Sequence, residues 1–343
     1  MSMQTGAGAG AELRLNFDQQ RELAKEVARL GYDSVWSNAG LAHDAFQICA
    51  QWSMASREIV DGGLATGISV LPVAGWSAPV LAAAAGTVGE LSGGRFSLGI
   101  GAGSSFYAAA RSSLGLAAHP PIALMRDYLI TVRALLAGEQ VDYEGAAVTL
   151  HGVKLGFKPP RVPVYLGALG PQMLRLAGAH ADGAALNWCT PEQIAWSRGE
   201  IEAGARKAGR DPAEVKVAEY IRICVDDDED RARRALARAT LPYALAQPGN
   251  PKDVGYRAHF ARMGFDAALN ELEAMQARGA AADELADKFP RELLQRVGYY
   301  GPAAGAAAAF RTLAAGLDLA IVRIVPARPT FEAALAVLRA CKP

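Results

Sequence analysis

From residue 12 onward, short apolar runs alternate with longer stretches whose apolar positions recur every three or four residues. Runs of the first kind read as strands, and the second kind as amphipathic helices. The pattern predicts strands over Glu12–Phe17, Ser34–Ser37, Gly63–Leu71, Arg95–Gly101, Val164–Gly167, Gly183–Asn187, Val215–Val225 and Leu319–Val325. Helices are predicted over Gln19–Leu30, Asp44–Ala55, Ser77–Leu91, Ile122–Leu136, Pro171–His180, Pro191–Ala208 and Phe331–Cys341, with another opened by Gly301-Pro302. Gly31 and Gly93-Gly94 fall where helices should stop, since glycine tolerates the left-handed conformation of a helix end.

Two stretches break the rhythm. Alternating positions around Glu144-Gly145 predict a β-hairpin between residues 139 and 157, and a charged helical insertion runs from about Asp227 to Val297. What remains is eight strand–helix units. That count points to an α/β fold, a (β/α)8 TIM barrel, as one domain over residues 1–343 with insertions at about 138–162 and 226–300. In such a barrel the chemistry sits at the C-terminal ends of the strands.

Composition narrows the partners. The 343 residues carry 35 Lys+Arg against 35 Asp+Glu, a balance that argues against a nucleic-acid surface. No basic run suggests an anionic membrane, and the apolar runs are interrupted before they reach spanning length. MSMQTGAGAG lacks the basic-then-apolar pattern of a signal peptide, so a cytoplasmic enzyme of a small-molecule substrate is expected. Cys49, Cys189, Cys224 and Cys341 show no CxxC spacing, so neither a disulfide framework nor a metal site is expected.

Several strand ends carry candidate chemistry. After strand four, Gly99, Gly101 and Gly103 favour close approach of a flat ligand over simple barrel packing. They do not open a helix, so the dinucleotide-fold reading fails. Gly and Pro are dense from Gly67 to Pro79, and Trp76 there either lines a pocket or is partly buried surface. His43 is a candidate general acid, but Asp44 beside it looks like a helix cap, and the capping reading is the better one. Cys189 has no His or acid partner by spacing and reads as a structural thiol. His119, His151 and His259 carry no metal spacing, and Asp226–Asp230 reads as a solvated helix start.

Residues 163 to 187 form a strand, a turn Gly167-Ala168-Leu169-Gly170, a helix opened by Pro171, and a second strand. Unpaired N–H groups at that helix start make an anion cradle suited to a phosphate. A plain βα connection is the alternative. Its position after strand five, beside the glycine-rich ends of strands three and four, favours the cradle.

Taken in order, GYDSVW at 31–36, GISVLPVAGWSAP at 67–79, GGRFSLGIGAGSS at 93–105 and PVYLGALGPQMLRLAGAHADG at 163–183 resemble the luciferase-like barrel family. The resemblance is to its branch dependent on the deazaflavin coenzyme F420. It implies a deazaflavin across the barrel mouth, with its phosphate on Gly167, Ala168, Leu169, Gly170 and the N–H of Gln172. It also implies a non-proline cis peptide at Ser69-Val70, and Gly101, Ala102 and Gly103 lining the cofactor. A homodimer through the helices 44–55 and 77–91 is implied as well.

Sugar-phosphate dehydrogenases of this branch are expected to carry Asp-His after strand two, where this chain has Asn38-Ala39. They carry an acid where this chain has Ser104, and a catalytic Glu after strand one, where the strand expected here ends near Asn16. Asn38, His43 and Ser104 therefore stand as catalytic candidates. The expected function is an F420-dependent oxidoreductase working as a reductase. The alternatives are an FMN-dependent monooxygenase and a non-catalytic flavin- or deazaflavin-binding protein.

Overall fold

The computed structural model describes residues 3–103, 107–247 and 250–343. Its strands are β1 (Gln4–Ala9), β2 (Ser34–Ser37), β3 (Ala65–Pro72), β4 (Phe96–Gly101), β5 (Val141–Glu144), β6 (Thr149–Val153), β7 (Val164–Gly167), β8 (Gly183–Asn187), β9 (Lys216–Val225), β10 (Gly298–Gly301) and β11 (Leu319–Ile324). Parallel pairing runs β11-β1-β2-β3-β4-β7-β8, and β9 pairs with both β8 and β11, so eight strands close a ring. Helices between successive strands cover the outside. This is the expected (β/α)8 barrel. The antiparallel pair β5–β6 is the expected hairpin.

β10 lies outside the count of eight. β8 pairs with the first half of β9, ending at Asn187 opposite Tyr220, and β10 pairs with the second half, from Gly298 opposite Arg222. The helical insertion between β9 and β10 thus returns a strand to the barrel wall. No described helix is long and apolar enough to cross a membrane.

The first strand differs from expectation. Residues 12–17 do not form it: 11–13 is a single 3-10 turn, and the helix Phe17–Arg29 starts at Phe17. Asn16 caps that helix, accepting the Gln19 N–H, while the Gln19 side chain accepts the Asn16 N–H. This reciprocal box and the burial of Leu15 account for the alternation that resembled a strand. The true strand, QTGAGA, has no β-branched residue beyond Thr5, so propensity did not reveal it. It fits because neighbouring rings fill the barrel. A Cβ on Gly8 would stand 2.8 Å from the Tyr220 ring, and one on Gly6 would stand 2.9 Å from Ser34 Oγ and 3.0 Å from the Trp36 ring.

The other boundaries agree with the sequence reading to within a residue or two. A further short helix, Ala108–Leu114, was not anticipated.

Gly8→Ala should therefore cost roughly 1–3 kcal/mol through overpacking against Tyr220. A urea denaturation series reads it as a lowered midpoint, and an unchanged midpoint would contradict this packing.

Candidate active site

Two unlike walls meet at the C-terminal mouth of the barrel. The first is built by β3, β4 and β7. The Ser69-Val70 peptide is cis, as the family resemblance implied, and the β3–β4 register slips between Ile68 and Leu71. Val70 lies over glycines of the neighbouring strands. A Cβ at Gly101 would come within 2.8 Å of it, and Cβ atoms at Gly99 and Gly167 within 3.3 Å. Gly103 has φ +57, and a Cβ there would meet Pro72 at 2.7 Å, so this position takes glycine on both grounds. Ala102 sits between these glycines, half-buried.

Beside this wall is the turn 167–170. Gly170 is the N-cap of helix Pro171–His180, and no side chain caps the helix. Neither Gly167 nor Gly170 has a positive φ, so the turn does not need glycine for its backbone. Nothing lies within 4 Å of a Cβ built on Gly170, so its absence leaves open space before the helix. The backbone groups of Leu169 and Gly170 and the Gln172 N–H border that space. Pro171 can offer no N–H. Arg262, from the insertion, donates to the Leu169 carbonyl at 3.4 Å and brings a cation to the same turn. No described carboxylate forms an ion pair with Arg262.

The opposite wall is polar and was mostly missed. β1 ends at Ala9, so Glu12 stands just past a strand end, at the mouth. The misplaced first strand had hidden this position at the mouth. Glu12 Oε1 accepts from Arg323 Nη2 at 2.5 Å, and the same Nη2 lies 3.4 Å from Asn38 Oδ1. Arg323 belongs to β11, opposite Arg222 of β9. Arg222 donates to Asn187 Oδ1 and stacks over the Trp188 ring at 3.6 Å. Asn187 Nδ2 in turn donates to the Tyr256 hydroxyl at 2.7 Å. Beneath them Tyr220 donates to the Ser37 carbonyl at 3.2 Å and packs with Trp36 and Ile321. A lone Arg within each of the apolar runs AEYIRICV and LAIVRIV was the available signal. On an inward-facing position of a barrel strand, such a residue faces the mouth.

The remaining candidates fall as follows. His43 is exposed, its ring 4.8 Å from Phe17, while Asp44 accepts from Gln47 N and caps the next helix, so the capping reading stands. Ser104 lies outside the described residues. Trp76 packs edge-on against Phe46 and borders a groove of about 490 Å³ beneath the hairpin. That groove is lined by the segment after β3, Tyr128 and the hairpin, and includes none of the glycines or charged residues described above.

Cys189 does have a histidine neighbour, contrary to the sequence reading: His259 Nε2 is 3.8 Å from its sulfur and 2.8 Å from the Trp188 carbonyl. Spacing gave no hint, because the insertion folds back over β8. Burial raises the thiol pKa and lowers that of the imidazole to about 4, so the pair is neutral and the thiol structural. No metal-binding cluster occurs among the described residues.

Glu219, on the outward side of β9, accepts the Cys189 N–H at 2.6 Å, and its other oxygen has no hydrogen-bond partner among the described residues. Burial pushes this carboxyl up to about 8.

Known proteins share this architecture. The luciferase-like monooxygenase family model matches residues 1–339. A 5,10-methylenetetrahydromethanopterin reductase of Methanolobus tindarius is 34% identical over 229 residues, 66% of this chain and 67% of the relative. An F420-dependent glucose-6-phosphate dehydrogenase of Rhodococcus erythropolis is 30% identical over 225 residues, 62% of this chain and 66% of the relative. The solved structure of a coenzyme F420-dependent tetrahydromethanopterin reductase from Methanopyrus kandleri matches with TM-score 0.80 at 20% identity. It covers 99% of this chain and 98% of that one, which shows the fold.

Glu219 sets a pH dependence. Free carboxyls titrate near 4.3, so between there and about 8 the folded protein holds a proton that the unfolded chain has released. Stability should fall as pH rises through that window and level off above it. Glu219→Gln should flatten the decline in urea midpoints between pH 5.5 and 8.5. Equal slopes for both proteins would refute the assignment.

Proposed function

Because the chain belongs to the luciferase-like monooxygenase family, we propose that it is a coenzyme F420-dependent oxidoreductase acting as a reductase on a small organic substrate. The observation that carries this reading is the pairing of a glycine-lined wall, bulged at Val70, with an uncapped helix start one strand away. On this wall the Val70 side chain stands over strand ends that carry glycine, which suits the close approach of a planar ring. The helix start offers N–H groups and a positive dipole end, which suit a phosphate. The named activities of the relatives support the same cofactor.

Ser69, Val70, Gly101, Ala102 and Gly103 would flank the ring of the cofactor. Gly167, Ala168, Leu169, Gly170 and the Gln172 N–H would hold its phosphate, with Arg262 adding a positive charge beside them. When bound, F420 supplies a hydride-exchanging carbon, C5 of the deazaflavin, and does not activate oxygen as FMN does. The residues of the chain then orient the reactants and exclude water.

Glu12 is the acid–base group of this reading. Arg323 engages its Oε1, while Oε2 accepts from no described residue and is available to exchange a proton with substrate. Asn38 steadies the same Arg323. The absence of an acid after β2 is thus no bar to catalysis.

A homodimer through the outer helices completes the proposal. Val80, Ala83, Ala84, Thr87 and Leu91 form an uncharged stripe on the helix Ala78–Leu91, with Val80 58% exposed and Met54 of the preceding helix 55% exposed. Faces of this kind pack against a second copy.

Fluorescence titration should show tighter binding of F420 than of FMN, and the opposite order would sink the reading. Glu12→Gln should lower kcat by about 10²–10⁴ while leaving the F420 dissociation constant unchanged. A kcat within twofold of wild type would remove Glu12 from the chemistry.

Sedimentation at micromolar concentration should give a dimer, and Val80→Lys should give a monomer. A monomeric wild-type protein would end the dimer proposal.

A further inference from the structure

The cationic wall opposite the glycines contains more positive charge than the protein itself neutralises. Arg222 and Arg323 occupy opposed positions on adjacent parallel strands, so their side chains share one face, the inside of the barrel mouth. Both residues are over nine-tenths buried, at 5% and 7% exposure. Buried guanidinium groups ordinarily have carboxylate partners and filled hydrogen bonds.

Here the pair shares one carboxylate, Glu12, and it engages only Nη2 of Arg323. Arg323 Nη1 is buried with no hydrogen-bond partner among the described residues. Among the described residues Arg222 meets neutral groups: Asn187 Oδ1, the Tyr220 carbonyl and the faces of Trp188 and Tyr243. The other nearby acids are committed elsewhere. Asp226, at the end of β9, pairs with Arg231 and Arg328, and Glu219 points to the other side of the strand.

The backbone at the end of β1 is fitted closely to this arrangement. A Cβ on Gly10 would collide with Arg323, Glu12 and Asn38, so glycine is what lets the three groups converge at the end of β1. Tyr220 supports them from below, its ring 5.0 Å from the Arg323 guanidinium carbon.

We propose that Arg222 and Arg323 form an anion subsite, and that the substrate carries a carboxylate or phosphate group which binds there. A guanidinium fork presents parallel N–H groups that match two oxygens of such a group, and the low-dielectric setting strengthens the contact. The subsite faces the glycine wall across the mouth. A substrate held by its anion at this pair would lie beside Glu12, which the Arg323 guanidinium engages. In its link to the reaction, the inference rests on the proposed F420-dependent function of the same mouth. In anion binding alone it does not.

Calorimetric titration with malonate and with inorganic phosphate, on the full chain with and without F420, tests the proposal. One of the two should bind, and the tighter one identifies the class of the anion. Arg323→Gln should weaken binding about tenfold or more, and Glu12→Gln should tighten it by removing the competing charge. The opposite signs separate a binding role from a structural one, because damage to the fold would weaken both. Arg222→Lys provides an independent variant should Arg323→Gln not fold; it keeps the charge but not the fork and should also weaken binding.

Absence of binding by either anion, or Glu12→Gln and Arg323→Gln shifting affinity in the same direction, would overturn the proposal. F420 affinity is read separately from its fluorescence. Anion binding that persists in a protein unable to bind F420 would sink the cofactor reading and leave the subsite standing.

Discussion

Three large rings, Trp36, Tyr165 and Tyr220, fill the inside of the barrel, and the strands facing them provide room by carrying glycine. Gly6 and Gly67 face Trp36, Gly8 faces Tyr220 and Gly183 faces Tyr165. Bulky residues from some strands against none from others is how the closed ring is packed here. It also fixes the level of the mouth. Tyr220 and Trp36 form its floor, and only residues one layer higher, among them Gly10, Asn187, Arg222 and Arg323, can reach a ligand. The two walls of the site depend on this floor.

That dependence explains what the sequence could reveal. Strands such as Ser34–Ser37 and Leu319–Ile324 are compact apolar runs, and their helices carry clear stops, so periodicity located them. β1 escaped because its six residues are mostly glycine and alanine, chosen for a fit to Trp36 and Tyr220 that no local pattern encodes. The capped helix start at Asn16 then supplied a false strand nearby. One error carried another with it. With β1 misplaced, Glu12 read as part of a strand rather than as the acid at its end.

The glycine wall was legible because its signal is local: several glycines at a strand end, and a glycine-bearing turn before a proline-opened helix. The charged wall was not, because it is assembled from strands over a hundred residues apart in sequence, with β1 closing it from the other end of the chain. A single arginine in an apolar run becomes informative only when the strand's inward parity is known. Likewise His259 meets Cys189 across 70 residues, through an insertion whose path over β8 no spacing rule predicts.

The tandem pairing of β8 and β10 along one edge of β9 bears on how this barrel could diverge. The helical insertion does not sit on the rim as a separable cap. Its last strand is hydrogen-bonded into the wall at the level of Arg222, and its helices supply Tyr243 and Tyr256 around Trp188 and Asn187. Exchanging or shortening this segment would therefore move the arginine's own strand and its stacking partners together. In this chain the insertion and the charged wall of the mouth are one mechanical unit.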